Sequence, residues 1–118
     1  MAFRFENLEI WRTARAYASK VYAATAKFPR KEEYGLTSQL NRAANSISLN
    51  IAEGSGKTSV KAFDYHLVIA IGSTFEVAAG SFLALDRSYI TAAEHETLHA
   101  EAERLCRRMN AFRKTLTW

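Results

Sequence analysis

The stretch "YHLVIAIGSTFEVAAGSFLAL", residues 65–85, limits the possible folds more than any other part of the chain. It holds one formal charge, Glu76, and its apolar residues recur at three- and four-residue steps, which predicts a helix that is apolar almost all round. In a soluble protein such a helix must be covered on more than one side. A membrane span has a similar length. A carboxylate at the midpoint is costly in lipid, however, so we predict that the chain has no contact with a membrane.

Two segments before this stretch and one after it show the same apolar steps, which makes four predicted helices in chain order with this stretch in the third. No run in the chain alternates as a strand would. Pro29 ends the first segment, because proline cannot continue a helix. The second ends at Gly54 and Gly56, which supply the backbone freedom of a helix terminus. The third is capped by Thr58 or Ser59. The fourth opens with a capping box at residues 91–94.

Four amphipathic helices joined by short turns predict an all-α fold, an up-down-up-down antiparallel four-helix bundle. The chain has 118 residues, which is the length of one domain, so we predict a single domain of residues 1–118.

The long third helix offers two apolar faces when it is projected at 100° per residue. The face assigned to the bundle core consists of Phe63, Leu67, Ile71, Phe75, Ala78 and Phe82. A monomeric bundle leaves the other face uncovered, so we predict a subunit interface there, at Tyr65, Ile69, Gly72, Glu76, Ala79 and Leu83. Small residues at positions 72, 79 and 80 allow close approach, and Glu76 needs a buried arginine or hydroxyl partner. The alternative is that the chain's own helices bury this face.

Sixteen lysines and arginines against twelve acids give a net charge of +4, which favours an acidic partner such as RNA or DNA. Residues 104–114 contain five basic side chains and no acid, and the first three lie on one helix flank. The candidate nucleic-acid-binding residues are Arg12, Arg15, Arg42, Lys57, Lys61, Arg104, Arg107 and Arg108. The alternative is a scaffold that binds only proteins and has no nucleic-acid role, in which these charges keep the protein soluble.

One short motif resembles a nucleotide site without completing it. Residues 56–58, Gly-Lys-Thr, end like a phosphate-binding loop, but Ile51 stands where that motif needs glycine. We therefore predict a turn there and no nucleotide cofactor. The lone Cys106 excludes an internal disulfide and fits a reducing compartment, and the first residues lack the apolar core of a secretory signal. We expect a cytoplasmic location.

The sequence "HETLH", residues 95–99, matches the zinc-protease pattern, in which two histidines one turn apart bind zinc. Ala102 and Leu105 stand where the extended form has glycine and a third histidine. We therefore predict two partly exposed histidines and no metal site. Because Cys106 also lies beside a packed seam and the carboxylates are scattered along helix surfaces, we predict no catalytic residues and no enzyme.

Three stretches resemble a known family: "FRFENLEIW" at residues 3–11, "YGLTSQLNRAANSISLNIAEGSG" at 34–56 and "FDYHLVIAIGSTFE" at 63–76. They are similar to the small four-helix-bundle proteins encoded in intervening sequences of bacterial 23S rRNA genes. The resemblance covers roughly residues 3–115. The chain departs from the family pattern at Asn41, which is often basic there, and at Ser48, which is often proline.

That family also resembles the accessory protein of diversity-generating retroelements, a pentameric barrel thought to bind nucleic acid and the reverse transcriptase. The resemblance implies that the spare face of the third helix closes a homopentameric ring. It further implies RNA or DNA and a reverse transcriptase as partners, and carries over no catalytic residue. Within "NIAEG", Asn50 and Glu53 are expected to bond the neighbouring backbone or helix.

Overall fold

The structure is a computed structural model that describes residues 2–117. Within that range the chain forms no strand and four α-helices: α1, Glu9–Thr25; α2, Leu36–Ser55; α3, Val60–Asp86; and α4, Ala92–Thr115. Short 3-10 turns at Arg4–Asn7 and Arg30–Glu32 precede α1 and α2. The all-α prediction is confirmed.

Hydroxyl caps fix the first residues of α3 and α4. The Ser59 hydroxyl accepts a hydrogen bond from the amide of Ala62 at 3.1 Å. Thr91 and Glu94 form the predicted capping box, with the Glu94 amide donating to the Thr91 hydroxyl at 3.1 Å and the Thr91 amide donating to the Glu94 carboxylate at 2.9 Å. These bonds satisfy amides that have no partner within their own helix. Both helix starts therefore follow from the sequence.

Each helix packs against two neighbours, because α1 and α3 both contact α2 and α4. Arg108 on α4 pairs with Glu9 on α1 at 2.9 Å. Gly54 on α2 lies beneath the ring of Phe63 on α3, which in turn meets the ring of Phe112 on α4 at 5.6 Å between centroids. These contacts bring together the start of α1, the end of α2, the start of α3 and the end of α4. We call this region the Lys57 end.

Large apolar side chains from all four helices fill the core: Ile10, Tyr17, Val21, Leu36, Leu40, Ile47, Ile51, Phe63, Leu67, Val77, Leu98, Leu105 and Met109. Tyr17 is the one member of this set with a hydroxyl group, and that group donates to the carbonyl of Leu98 at 2.9 Å. Burial raises the pKa of Tyr17. The bond keeps a buried polar atom satisfied, which would otherwise cost stability.

The core face of α3 differs from the predicted one. Phe63 and Leu67 are buried as expected, but Phe75 is 66% exposed and Phe82 is 48% exposed. Ile71 and Ala78 are only partly buried. Smaller residues take the core positions instead: Ala70, Thr74, Val77, Gly80, Ser81 and Ala84. The assignment of Phe75 and Phe82 to the core is wrong.

Small side chains suit the inner face because α2 approaches α3 closely. A methyl group added to Gly80 would lie 2.1 Å from Cδ2 of Leu40, so Gly80 serves contact within the chain and not the outer face predicted for it. The buried hydroxyl of Thr74 donates to the carbonyl of Ala70 at 2.9 Å. Because such a bond to the helix's own backbone satisfies the buried hydroxyl, threonine and serine can occupy core positions that were predicted for aromatic residues.

The glycines that end α2 do so for a reason other than the predicted one. Gly56 has a φ of −88°, and none of the chain's glycines has a positive φ. Gly54 is instead buried against α3, where a methyl group would lie 2.7 Å from Cβ of His66. Space between helices, and not backbone freedom, explains glycine at position 54.

Candidate interaction surfaces

The outer face of α3 is an apolar surface that the chain leaves uncovered. It carries all six residues of the predicted interface: Tyr65, Ile69, Gly72, Glu76, Ala79 and Leu83. Tyr65 is 64% exposed, and Ile69 is the one member of the six that is partly buried. The alternative, in which neighbouring helices of the same chain bury this face, is therefore wrong for the described residues.

Larger side chains that the sequence analysis did not assign to this surface extend it. Val68, Phe75 and Phe82, spaced seven residues apart, are all exposed on α3, and Leu49 on α2 is 64% exposed. Their seven-residue spacing is visible in the sequence and indicates that the three side chains lie along one stripe of the helix. We use "outer face of α3" for the six predicted residues together with these three.

A groove of about 510 Å³ runs between α3 and α4 beside the outer face. Its lining is mainly apolar and comprises Thr74, Phe75, Ala78, Ala79, Phe82, His99, Ala102, Glu103, Cys106 and Arg107. Cys106 is half-buried there, and burial raises the pKa of its thiol. A thiol held in its protonated form is a poor nucleophile, so the groove lacks an activated cysteine.

Gly72 and Glu76 lie at the middle of the outer face. A methyl group added to Gly72 would meet nothing within 4 Å. Glu76 is exposed and makes no hydrogen bond or ion pair with any residue between 2 and 117, so the partner predicted for it is absent from that part of the chain. A carboxylate in an apolar surface needs a cation or donor once the surface is covered.

By length and composition α3 could cross a membrane, although 39% of its most apolar 18-residue window is buried inside the bundle. A core helix of a soluble protein has the same properties. Glu76 lies within this helix, where a charge in lipid would be costly.

Positive charge is concentrated at the Lys57 end. The helix halves nearer to that end, residues 2–17, 46–73 and 104–117, hold ten lysines and arginines and four acids, a net charge of +6. The remaining residues hold six basic and eight acidic side chains, a net charge of −2. This separation gives one end of the molecule a much stronger positive potential than the net charge of +4 indicates.

Seven of the eight predicted nucleic-acid-binding residues lie at the Lys57 end: Arg12, Arg15, Lys57, Lys61, Arg104, Arg107 and Arg108. Arg42 does not join them, because it lies in the other half of α2. Nor do the three arginines of α4 share a single flank as predicted. Arg104 lines a groove beside α1, where Arg108 also pairs with Glu9, whereas Arg107 lines the groove beside α3.

Several of these cations already have partners within the chain. Lys57 lies 3.8 Å from the carboxylate of Glu53, and Arg108 bonds Glu9. Arg12 donates to a backbone carbonyl, and Arg15 lies over the ring of Trp11 at 5.5 Å. Apart from Lys57 and Arg108, the predicted nucleic-acid-binding residues form no ion pair with any residue from 2 to 117: Arg12, Arg15, Arg42, Lys61, Arg104 and Arg107.

The "NIAEG" segment joins α2 to α3 through a polar network, as the resemblance implied. Asn50 donates to the carbonyl of Ser46 at 2.9 Å, and its side-chain oxygen lies 3.1 Å from Nδ1 of His66. Nε2 of His66 faces the carboxylate of Glu53 at 3.7 Å. Asn50 and Glu53 therefore have structural roles between the two helices.

The two histidines of "HETLH" differ in burial. His95 is buried, with 8% of its surface exposed, and its ring packs 4.3 Å from that of Phe82; the prediction that it is partly exposed is wrong. His99 is partly exposed, as predicted. Between residues 2 and 117, no three His, Cys, Asp or Glu side chains are grouped so that they could hold a metal ion.

Comparison with known proteins identifies the family. The sequence model of the 23S rRNA-intervening sequence protein family matches residues 6–111. The chain belongs to this family.

A crystal structure at 1.70 Å of a protein of unknown function from the S23 ribosomal protein family of Bacteroides thetaiotaomicron has a similar fold, with a TM-score of 0.79. The similarity covers 90% of this chain and 99% of that one at 21% sequence identity, which supports the four-helix bundle fold alone. Among proteins with curated descriptions, none matches.

Proposed function

We propose that this family member is a non-enzymatic protein that forms a closed homo-oligomeric ring through the outer face of α3 and binds nucleic acid, or a nucleoprotein, at its Lys57 end. A ring of five is the proposed size, by the resemblance to the accessory protein of diversity-generating retroelements. The contacts between helix ends support an up-down-up-down antiparallel order in each copy.

The outer face of α3 supports assembly because of its length and composition. Its ends, Tyr65 and Leu83, are about 27 Å apart along the helix at 1.5 Å per residue. Monomeric soluble proteins seldom expose so long an apolar surface, and subunit contact is a common reason for one. A contact between this face and a different surface of the next copy closes into a ring when the rotation between copies allows it.

The charge separation supports nucleic-acid binding, and it is the observation that carries this part of the proposal. Exposed cations without an acidic partner, such as Lys61 and Arg104, can neutralise phosphates without first breaking an ion pair. Contacts of this kind do not read sequence, and they weaken steeply with salt. A ring repeats the Lys57 end once per copy, so several weak contacts add to a stronger one.

Fluorescence anisotropy with a structured RNA and a duplex DNA, each at two salt concentrations, tests this binding. We expect micromolar binding at low salt that is lost at high salt. Replacing Lys61 and Arg104 together by glutamine should weaken binding and reduce the salt slope by about 0.9 for each duplex phosphate that is no longer neutralised. The matched control replaces Lys31 and Arg87, which lie outside the Lys57 end, and should leave binding unchanged. Equal weakening in both double variants would contradict the proposed site.

A scaffold that binds only proteins is the second candidate, and specific contacts favour it. Arg113 donates to both carboxylate oxygens of Asp64, at 2.6 and 3.1 Å, so part of the positive charge at the Lys57 end serves the chain itself. The apolar groove beside α4 offers a surface for a protein such as a reverse transcriptase. An assembled protein that binds neither RNA nor DNA at low salt would support this candidate.

A further inference from the structure

His95 and His99 share a groove on the outside of α4. They are one helical turn apart, which places both side chains on one face, and their ring centroids are 5.7 Å apart. The groove has a volume of about 420 Å³, and the other residues that line it are Phe82, Glu96, Ala100 and Glu103.

Partners within the chain decide which nitrogen of each ring is available to a ligand. The Ser81 hydroxyl donates its one proton to the carbonyl of Ala78, so it accepts from Nδ1 of His95 at 2.9 Å. Nδ1 of His99 faces a carboxylate oxygen of Glu103 at an ion-pair distance of 3.3 Å. Each ring therefore turns Nδ1 towards a partner within the chain. Nε2 is the nitrogen of each ring that is available to a ligand.

The Nε2 atom of His95 is not fully enclosed although the residue is buried. It makes no hydrogen bond with residues 2–117, yet in that range no buried side-chain nitrogen or oxygen lacks a partner. The atom therefore keeps some contact with solvent, and His95 is one of the residues that line the groove. His99 is partly exposed and borders the same groove.

We propose that His95 and His99 form an open site for one divalent transition-metal ion, such as Zn²⁺, bound through the two Nε2 atoms. Imidazole nitrogen suits zinc, copper and nickel. Metal-binding histidines characteristically donate their other N–H to a carboxylate or another acceptor, as Glu103 and Ser81 provide here.

The site has two protein ligands, so water fills the remaining positions. It lacks the third ligand of a catalytic zinc site, and no catalysis is attached to it. The inference differs from the sequence-based expectation of no metal site, which rested on the missing third histidine. It does not depend on nucleic-acid binding, and its groove borders the outer face of α3 through Phe82.

Isothermal titration of the untagged full chain with zinc chloride, at neutral pH in a buffer that does not chelate, tests the site. We expect one ion per chain at micromolar zinc. His99→Gln should abolish the binding. Glu103→Gln, which loses the carboxylate behind His99, should weaken it by about tenfold. A purely structural role for Glu103 would leave zinc affinity unchanged.

His66 supplies the matched control, because it is the chain's remaining histidine and its ring is held by Asn50 and Glu53. His66→Gln should bind zinc as the wild type does. Absence of binding by the wild type, or unchanged binding by His99→Gln, would overturn the proposal. Circular dichroism of each variant confirms that loss of binding is not loss of fold.

Discussion

Gly54 lies at the end of α2, where an added methyl group would be 2.7 Å from Cβ of His66 and 2.9 Å from Cδ1 of Phe63. Alanine gains about 1 kcal/mol over glycine from helix propensity. Overpacking a core costs about 1–3 kcal/mol, and here the crowded atoms are close to the α3 backbone, which cannot move easily. We therefore expect Gly54→Ala to lower the free energy of unfolding, measured by urea denaturation.

Gly56 is the matched control for that substitution. Its added methyl group would lie 3.5 Å from the carbonyl of Glu53, an ordinary contact, and its φ of −88° is open to any residue. Gly56→Ala should change the free energy of unfolding by less than about 0.5 kcal/mol. An equal effect of both substitutions would show that helix propensity, and not contact with α3, governs position 54.

The position of Gly54 at a helix end could be predicted from sequence, but its cause could not. Glycine followed by a polar turn is a common helix stop, whichever property of glycine is in use. The distances to His66 and Phe63 depend on the packing of α2 against α3. The burial of His95 was missed for a similar reason, because its hydroxyl partner Ser81 comes from another helix.

Among the helices, α3 shows where sequence periodicity loses information. Its cap, Ser59, is one of the two residues predicted for it, but a helix that is apolar all round has no polar face to mark the solvent side. The prediction therefore assigned the large apolar side chains to the bundle core, but Phe75 and Phe82 are exposed while Thr74 and Ser81 are buried. Close approach of α2 at Gly80 favours small residues inside, and that contact is visible only in the folded chain.

The link between α3 and α4 at the Lys57 end gives a prediction about pH. Hydrogen bonding from Arg113 lowers the pKa of Asp64 below its usual value. The folded state therefore favours the ionised form, and the stabilisation is fully present above the pKa of an unfolded aspartate. It is lost as the pH falls through the lower pKa of the folded state. Asp64→Asn should cost at most about 1 kcal/mol at pH 7 and progressively less on acidification.

Urea midpoints of both proteins at pH 7 and in the acid range measure this difference. Asp86→Asn is the control, because Asp86 is exposed and forms no ion pair with residues 2–117. At pH 7, Asp86→Asn should lower the urea midpoint by less than Asp64→Asn does. A constant gap between wild type and Asp64→Asn at every pH would rule out ionisation of Asp64 as the cause.

For the whole molecule, the sequence predicted a basic protein with an uncovered apolar face but not how its charge is distributed. The net charge of +4 can be counted from composition, whereas the division into +6 and −2 depends on which helix ends meet. The sequence offers no distance between helices, so it does not separate Arg42 from the other predicted cations. Its place in the other half of α2 separates it from them.

The most direct test of the account is the mass of the assembled protein, measured by multi-angle light scattering on the wild type and Gly72→Arg. The space beside Gly72 is open in the single chain, so arginine fits the monomer but obstructs contact between copies. Ala23→Arg is the control, because it makes the same charge change on α1, which does not contact α3.

We predict several subunits for the wild type and for Ala23→Arg. For Gly72→Arg we predict a mass near the 13.3 kDa of one chain, with helicity unchanged by circular dichroism. A wild type that scatters as a 13.3 kDa monomer at micromolar concentration, or a Gly72→Arg variant that keeps the wild-type mass, would contradict assembly through the outer face of α3.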